Sequence, residues 1–185
     1  MTSLADVLIL DTASMQWRLA KETATRPRAR FFHTATSLEQ DARVVIFGGA
    51  TGSTEGEDQA FLNDTWLFLT RASSWEPCQV AGKPPSPRAA HTAVFVSSRT
   101  QLAVFGGFNG QESLNDLWIM HVGSPRWELV NNATGTPPTI RGYHTASIHG
   151  ARLSALPPPP PPKRILLHPK HMCTIHLVPH PDAHK

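Results

Sequence analysis

Three histidines, His33, His91 and His144, each stand three residues after an arginine, in RFFHT, RAAHT and RGYHT. An imidazole beside a fixed cation is a candidate base or metal ligand. Two apolar runs end in a glycine pair, VVIFGGA (44–50) and LAVFGGF (102–108). A strand that empties into glycines is also how a phosphate cradle begins. The surroundings argue against both chemistries. A phosphate loop needs Lys-Ser or Lys-Thr after its last glycine, and here ATGST and FNGQES follow. A nucleotide loop or a catalytic base is needed once, whereas these groups recur.

The recurrence has fixed spacing. His33 precedes Gly48, and His91 precedes Gly106, by 15 residues. Asp6, Asp64 and Asp116 each precede a tryptophan, Trp17, Trp75 and Trp127, by 11 residues. The period is 58 residues from His33 to His91 and 53 from His91 to His144. Self-similarity at such a period marks a repeat architecture. The landmarks are therefore read as scaffold. Gly48, Gly49, Gly106 and Gly107 supply positive φ and close backbone approach where a second strand turns toward a third. His33, His91 and His144 supply structural hydrogen bonds. Arg30, Arg88 and Arg141 pair with a carboxylate or a carbonyl of the scaffold, and Asp6, Asp64 and Asp116 are the acidic candidates. Trp17, Trp75 and Trp127 pack between repeats. The competing reading of Arg88 and Arg141 is recognition of an acidic partner.

The elements that must position these residues are short strands. HTAVFV (91–96), QLAVFGG (101–107), LWIMHV (117–122) and RWELV (126–130) are apolar or alternating runs between Gly, Pro, Ser and Asn. Their connections fit hairpins, and no segment has helical periodicity. Four antiparallel strands per period predict an all-β chain of propeller blades. The Arg-x-x-His start, the Gly-Gly strand end and the late tryptophan resemble kelch repeats across residues 4–149. Asn63-Asp64-Thr65-Trp66 and Asn115-Asp116-Leu117-Trp118 resemble the longer kelch subgroup, with Trp66 and Trp118 in place of the family's tyrosine.

The expected organisation is a partial kelch-type propeller: a partial blade with third and fourth strands (1–29), blades at 30–87 and 88–140, and the first strand of an unfinished blade (141–150). A disordered Pro/His-rich tail (151–185) follows. Counting from His144 puts the next glycine pair at Pro159 and Pro160, where prolines lack the ladder donors of an interior strand. So short an arc is expected to be a fragment of a larger propeller, to self-associate and close a ring, or to be an unusual short array. In the tail, Pro157–Arg164 fits a polyproline ligand for an SH3-type groove. His168, His171, Cys173, His176, His180 and His184 match no standard zinc spacing.

Charge excludes one class of partner. Residues 1–150 hold 12 Lys/Arg and 13 Asp/Glu, whereas residues 151–185 hold 5 and 1. The repeats thus lack the basic stripe that nucleic acid requires. No stretch is long and apolar enough for a membrane span. Two cysteines and no signal-peptide pattern point to the cytoplasm, or the nucleus.

Function is expected on the irregular loops of a rigid scaffold. Those are 50–62 and 107–114, with 80–88 and 131–141 on the same face. Glu55, Glu57, Asp58, Asn109, Gln111, Glu112, Arg88 and Arg141 are the candidate partner-binding residues. The resemblance implies a non-enzymatic protein-interaction scaffold without cofactor or metal. Kelch proteins include ubiquitin-ligase adaptors and Rab-effector-like proteins; the alternative here is a Pro-rich adaptor acting through the tail. A galactose-oxidase-like copper site needs two tyrosines, and this chain has only Tyr143.

Overall fold

The computed structural model describes residues 5–38, 41–52, 59–149 and 152–157. Glu55, Glu57, Asp58, the tail histidines and the polyproline motif after Pro157 lie outside the described residues. Regular structure among these residues is strand, apart from one 3-10 turn at Ser97–Arg99. No helix among the described residues is long and apolar enough to cross a membrane.

The chain opens with a two-stranded sheet, β1 (Leu8–Asp11) and β2 (Gln16–Leu19). The first whole blade orders β3 (Thr34–Leu38), β4 (Arg43–Phe47), β7 (Thr65–Leu69) and β8 (Ser74–Pro77). A small hairpin, β5 (Ala50–Thr51) and β6 (Ala60–Phe61), extends its β4–β7 connection. The second blade orders β9 (Thr92–Val96), β10 (Gln101–Phe108), β11 (Ser113–His121) and β12 (Arg126–Leu129). Last comes β13 (Thr145–His149) with β14 (Arg152–Leu156). Every pairing between these strands is antiparallel.

The run RVVIF explains how blades stack. A strand buried on one face alternates; one buried on both reads as a continuous apolar run. Val44 and Ile46 pack with Ile9, Ala20 and Phe68, toward the opening half-blade. Val45 and Phe47 pack the other way, with Leu102, Val104, Trp118, Met120 and Trp127 of the second blade. The blades are thus held face to face by apolar burial, worth roughly 25 cal/mol per Å².

Three details depart from the sequence reading. The glycine pairs do not mark the turn. Gly106 and Gly107 lie in a bulge, after which the ladder resumes with Gly107 opposite Leu114 and Phe108 opposite Ser113. The turn falls at 109–112, where Asn109 Oδ1 accepts from the amides of Gln111 and Glu112. Second, Arg152–Leu156 pairs with β13, so the last blade has two strands among the described residues and a strand occupies residues assigned to the tail. Its hairpin is shorter: Thr145 faces Leu156, where Thr92 faces Phe105. Third, Trp127 is 5% exposed but Trp17 is 52% exposed. Each such tryptophan packs toward the blade before its own, and no described blade precedes Trp17.

The bulge glycines have no room for a side chain. Gly107 has φ +99, and a Cβ there would lie 2.7 Å from the Ala89 carbonyl oxygen and 2.8 Å from His91 Cβ. Gly107→Ala is therefore expected to cost more than about 2 kcal/mol and lower the melting temperature by at least about 4 °C. An unchanged melt by circular dichroism contradicts the assignment.

Candidate functional site

The arginine of each whole repeat is clamped. Arg30 donates to both carboxylate oxygens of Asp64 at 2.7 and 2.8 Å and to the Gly48 carbonyl at 2.9 Å. Arg88 repeats this on Asp116 at 2.7 and 2.8 Å and on the Gly106 carbonyl at 3.0 Å. The indoles of Trp66 and Trp118 donate to the same carboxylates. Burial alone would raise both Asp pKa values. The arginine hydrogen bonds, with the guanidinium charge and the indole donors, outweigh it and hold both below the usual carboxylate range. Arg88 is 0% exposed, which removes it from the partner-contacting residues. A buried cation is tolerable because its donors are satisfied in a bidentate pair. Arg141 differs: it is half-buried, and its guanidinium bonds only the carbonyl and hydroxyl of Thr139 among the described residues.

The histidines latch neighbouring blades. His91 Nε2 is hydrogen-bonded to Thr34 Oγ1 at 2.9 Å, and His144 Nε2 to Thr92 Oγ1 at 2.9 Å. Each ring also meets a phenylalanine of the preceding blade edge-on, Phe47 for His91 and Phe105 for His144. Burial, helped by the Arg88 charge, drives the His91 pKa down to about 3. His144 is lowered by burial and by Arg141. Both are kept neutral, as a structural latch requires. His33 begins the first whole blade, and its Cβ lies 2.8 Å from where a Cβ on Gly49 would stand. Burial pushes the Cys78 thiol up, away from the thiolate a nucleophile needs.

The irregular loops do meet on one face. Arg88 N donates to the Leu62 carbonyl and Arg141 N to the Leu114 carbonyl. Asn63 Nδ2 donates to the Pro85 carbonyl, and Asn115 Nδ2 to that of Pro138. Phe61 and Phe108 meet edge-on at 5.6 Å, joining the loops of the two whole blades. Gln111 and Glu112 are exposed there, and Asn109 is partly spent on its own turn. An open pocket of about 590 Å³ lies alongside, lined by Phe108, Ile140, Arg141, Tyr143 and Pro157 among others.

Sequence reasoning missed the residue before each histidine. Phe32, Ala90 and Tyr143 all have left-handed backbone, with φ 54, 55 and 57. Their main chains form a relay: Ala90 N donates to the Phe32 carbonyl, and Tyr143 N to the Ala90 carbonyl, both at 2.9 Å. The small Ala90 lets the Phe32 and Tyr143 rings meet edge-on at 5.2 Å. Tyr143 is 60% exposed. The available signal was the large–small–large series Phe, Ala, Tyr at one repeat position.

Residues 1–155 match the sequence profile of the KLHDC2/KLHL20/DRC7 kelch-repeats domain. The chain belongs to the kelch-repeat family. Similar proteins include the leucine-zipper-like transcriptional regulator 1 homolog of Drosophila melanogaster, 28% identical over 77% of this chain and 14% of that protein. Tip elongation aberrant protein 1 of Schizosaccharomyces pombe is 33% identical over 61% of this chain and 9% of its own length. Human kelch domain-containing protein 3 is 29% identical over 68% of this chain and 33% of its own. The kelch segment here thus covers a third or less of these relatives.

The neutral latch sets a pH dependence. The His91 pKa is lower in the fold than in the unfolded chain, so the unfolded state takes the proton first. Stability is full above about pH 6.5 and falls as pH drops toward 3. At pH 5, His91 alone is expected to cost about 2 kcal/mol. His144 acts with the same sign. The lowered carboxylates act in a separate window, below about pH 4. Urea melts of the parent and His91→Gln between pH 7.5 and 5 check this: the variant should show the flatter slope, and equal slopes contradict the latch.

Proposed function

We propose that this kelch-repeat chain is a non-enzymatic protein-interaction scaffold, holding its partner on the face where the 50–62 and 107–114 loops meet the Phe32–Tyr143 pair. The observation that carries the reading is the exposed Tyr143 ring, fixed by the backbone relay through Ala90 and seated on Phe32. A left-handed backbone at a bulky residue costs of order 1 kcal/mol or more, and such strain concentrates at functional positions. A rigid aromatic with a polar tip is the side chain most often found anchoring an interface. Phe108 and Ser113, which line the same pocket as Tyr143, flank the turn that carries Asn109, Gln111 and Glu112, and the 50–62 segment is acidic by sequence, with Glu55, Glu57 and Asp58. That composition suits a partner that offers an apolar group ringed by basic side chains. Family membership supports the scaffold reading, and burial keeps the His91 imidazole and the Cys78 thiol in their neutral forms.

The test is affinity capture with three chains: the parent, a Tyr143→Ala/Glu112→Arg double variant, and Arg99→Glu on a distant hairpin. Surface changes of this kind leave stability within about 1 kcal/mol. Proteins captured by the parent and by Arg99→Glu, and lost with the double variant, support the face. Equal capture by all three rejects it.

A further inference from the structure

We propose that the turn carrying Asn109 and Gly110 is a self-modification site. The Gly110 main-chain nitrogen attacks the Asn109 side-chain amide, and water opens the resulting ring to aspartate or isoaspartate at position 109. This goes beyond the loop-face reading and does not depend on it, because the reaction needs only the turn.

The chain has five asparagines, at 63, 109, 115, 131 and 132, and Asn109 alone is followed by glycine. The nucleophile in this ring closure is the nitrogen of the next residue, so a side chain on that residue obstructs attack. Gly110 has none, and its φ of +97 is backbone that other residues rarely adopt. It is exposed to water, and its N–H has no acceptor among the described residues. The two reacting groups are already tethered in a five-membered arrangement, which gives an intramolecular attack its high effective concentration.

The turn also activates the electrophile. Asn109 Oδ1 accepts from the main-chain amides of Gln111 and Glu112, each at 2.9 Å. Negative charge develops on that oxygen as the nitrogen adds to Cγ. Two fixed N–H donors aimed at it are the arrangement that stabilises a tetrahedral oxyanion. Nδ2, the leaving group, has no acceptor among the described residues. The other asparagines lack this combination. Asn63 and Asn115 have Nδ2 held by the carbonyls of Pro85 and Pro138, and aspartate follows each. Asn131 and Asn132 are followed by asparagine and alanine.

The balance needs only water. The Gly110 nitrogen gives its proton to solvent as the N–Cγ bond forms. The oxyanion then collapses, the Cγ–Nδ2 bond breaks, and Nδ2 takes up a proton from water and leaves as ammonia. Water next adds to one carbonyl of the succinimide. Attack at Cγ breaks the new N–Cγ bond and leaves aspartate in the original main chain. Attack at the main-chain carbonyl breaks the original peptide bond and routes the chain through the side chain as isoaspartate, one methylene longer.

The position gives this change an effect. Gly110 sits against Phe61, where a Cβ would lie 2.9 Å from ring atom Cε2. Phe61 in turn meets Phe108 edge-on at 5.6 Å. An added methylene moves Gly110 off that ring, and either product adds a carboxylate to the turn that already carries Glu112. The reaction is a one-way change in the shape and charge of the contact that joins the loops of the two whole blades.

The experiment is timed incubation of the full chain in neutral buffer and in urea, with Asn109→Gln alongside in neutral buffer. Ammonia release, peptide mass mapping and enzymatic methylation of isoaspartate are followed together. Conversion is expected at position 109 ahead of the other four asparagines. It should be faster in the folded chain than in urea by about tenfold or more, since each placed donor of this kind is worth at least that in enzymes. Asn109→Gln lengthens the side chain by one methylene and should lose the isoaspartate signal while keeping the strand spectrum in circular dichroism. No conversion at position 109, conversion spread evenly over the asparagines, or a rate in the folded chain no higher than in urea overturns the proposal.

Discussion

Everything in this molecule depends on how closely one blade's backbone approaches the next. Gly49 N donates to the Arg88 carbonyl at 2.8 Å, and Gly107 N donates to the Arg141 carbonyl at 2.9 Å. A side chain at Gly48 or Gly106 would lie 2.8 Å from those same carbonyls. The glycine pair exists so that the Arg-x-x-His segment of the following blade can sit against bare main chain. From that contact the arginine reaches back to its aspartate, and the histidine reaches across to a threonine of the preceding blade. The apolar clusters fill the space that these contacts enclose.

One segment therefore has two duties. Its inner atoms bind blade to blade, and the residue between arginine and histidine that is forced into left-handed backbone presents its side chain outward at Tyr143. Polar groups that look like chemistry in the sequence are consumed by the first duty. Arg88 is buried with its donors matched, and His91 is buried with its Nε2 bonded across the blades. The recognition surface is made instead from the aromatic pair and the loop tips beside it.

Much of the fold was legible because repetition separates scaffold from chemistry. Four strands per period and the recurring arginine, histidine and aspartate follow from spacing; that the arginine holds both the aspartate and the glycine carbonyl is seen only in three dimensions. Other features depend on three dimensions. The glycines were assigned to the turn, since glycine favours both turns and bulges. Only the resumed pairing of Phe108 with Ser113 distinguishes the two. The strand Arg152–Leu156 escaped notice because its hairpin is tighter than its counterparts and runs into proline. Trp17 was read as packed because its spacing matches Trp127; its exposure depends on a neighbour that spacing does not reveal. The Phe32–Tyr143 pair joins residues 111 positions apart in the chain, across an alanine that reads as unremarkable.

The central claim is that the glycine-to-arginine main-chain contact is part of the cooperative core and not a loop contact. Native-state hydrogen exchange at the Gly49 and Gly107 amides tests this directly. The account predicts protection equal to that of Val45 and Val104, in the middle of the buried strands. Exchange at the rate of the 109–112 turn would contradict it.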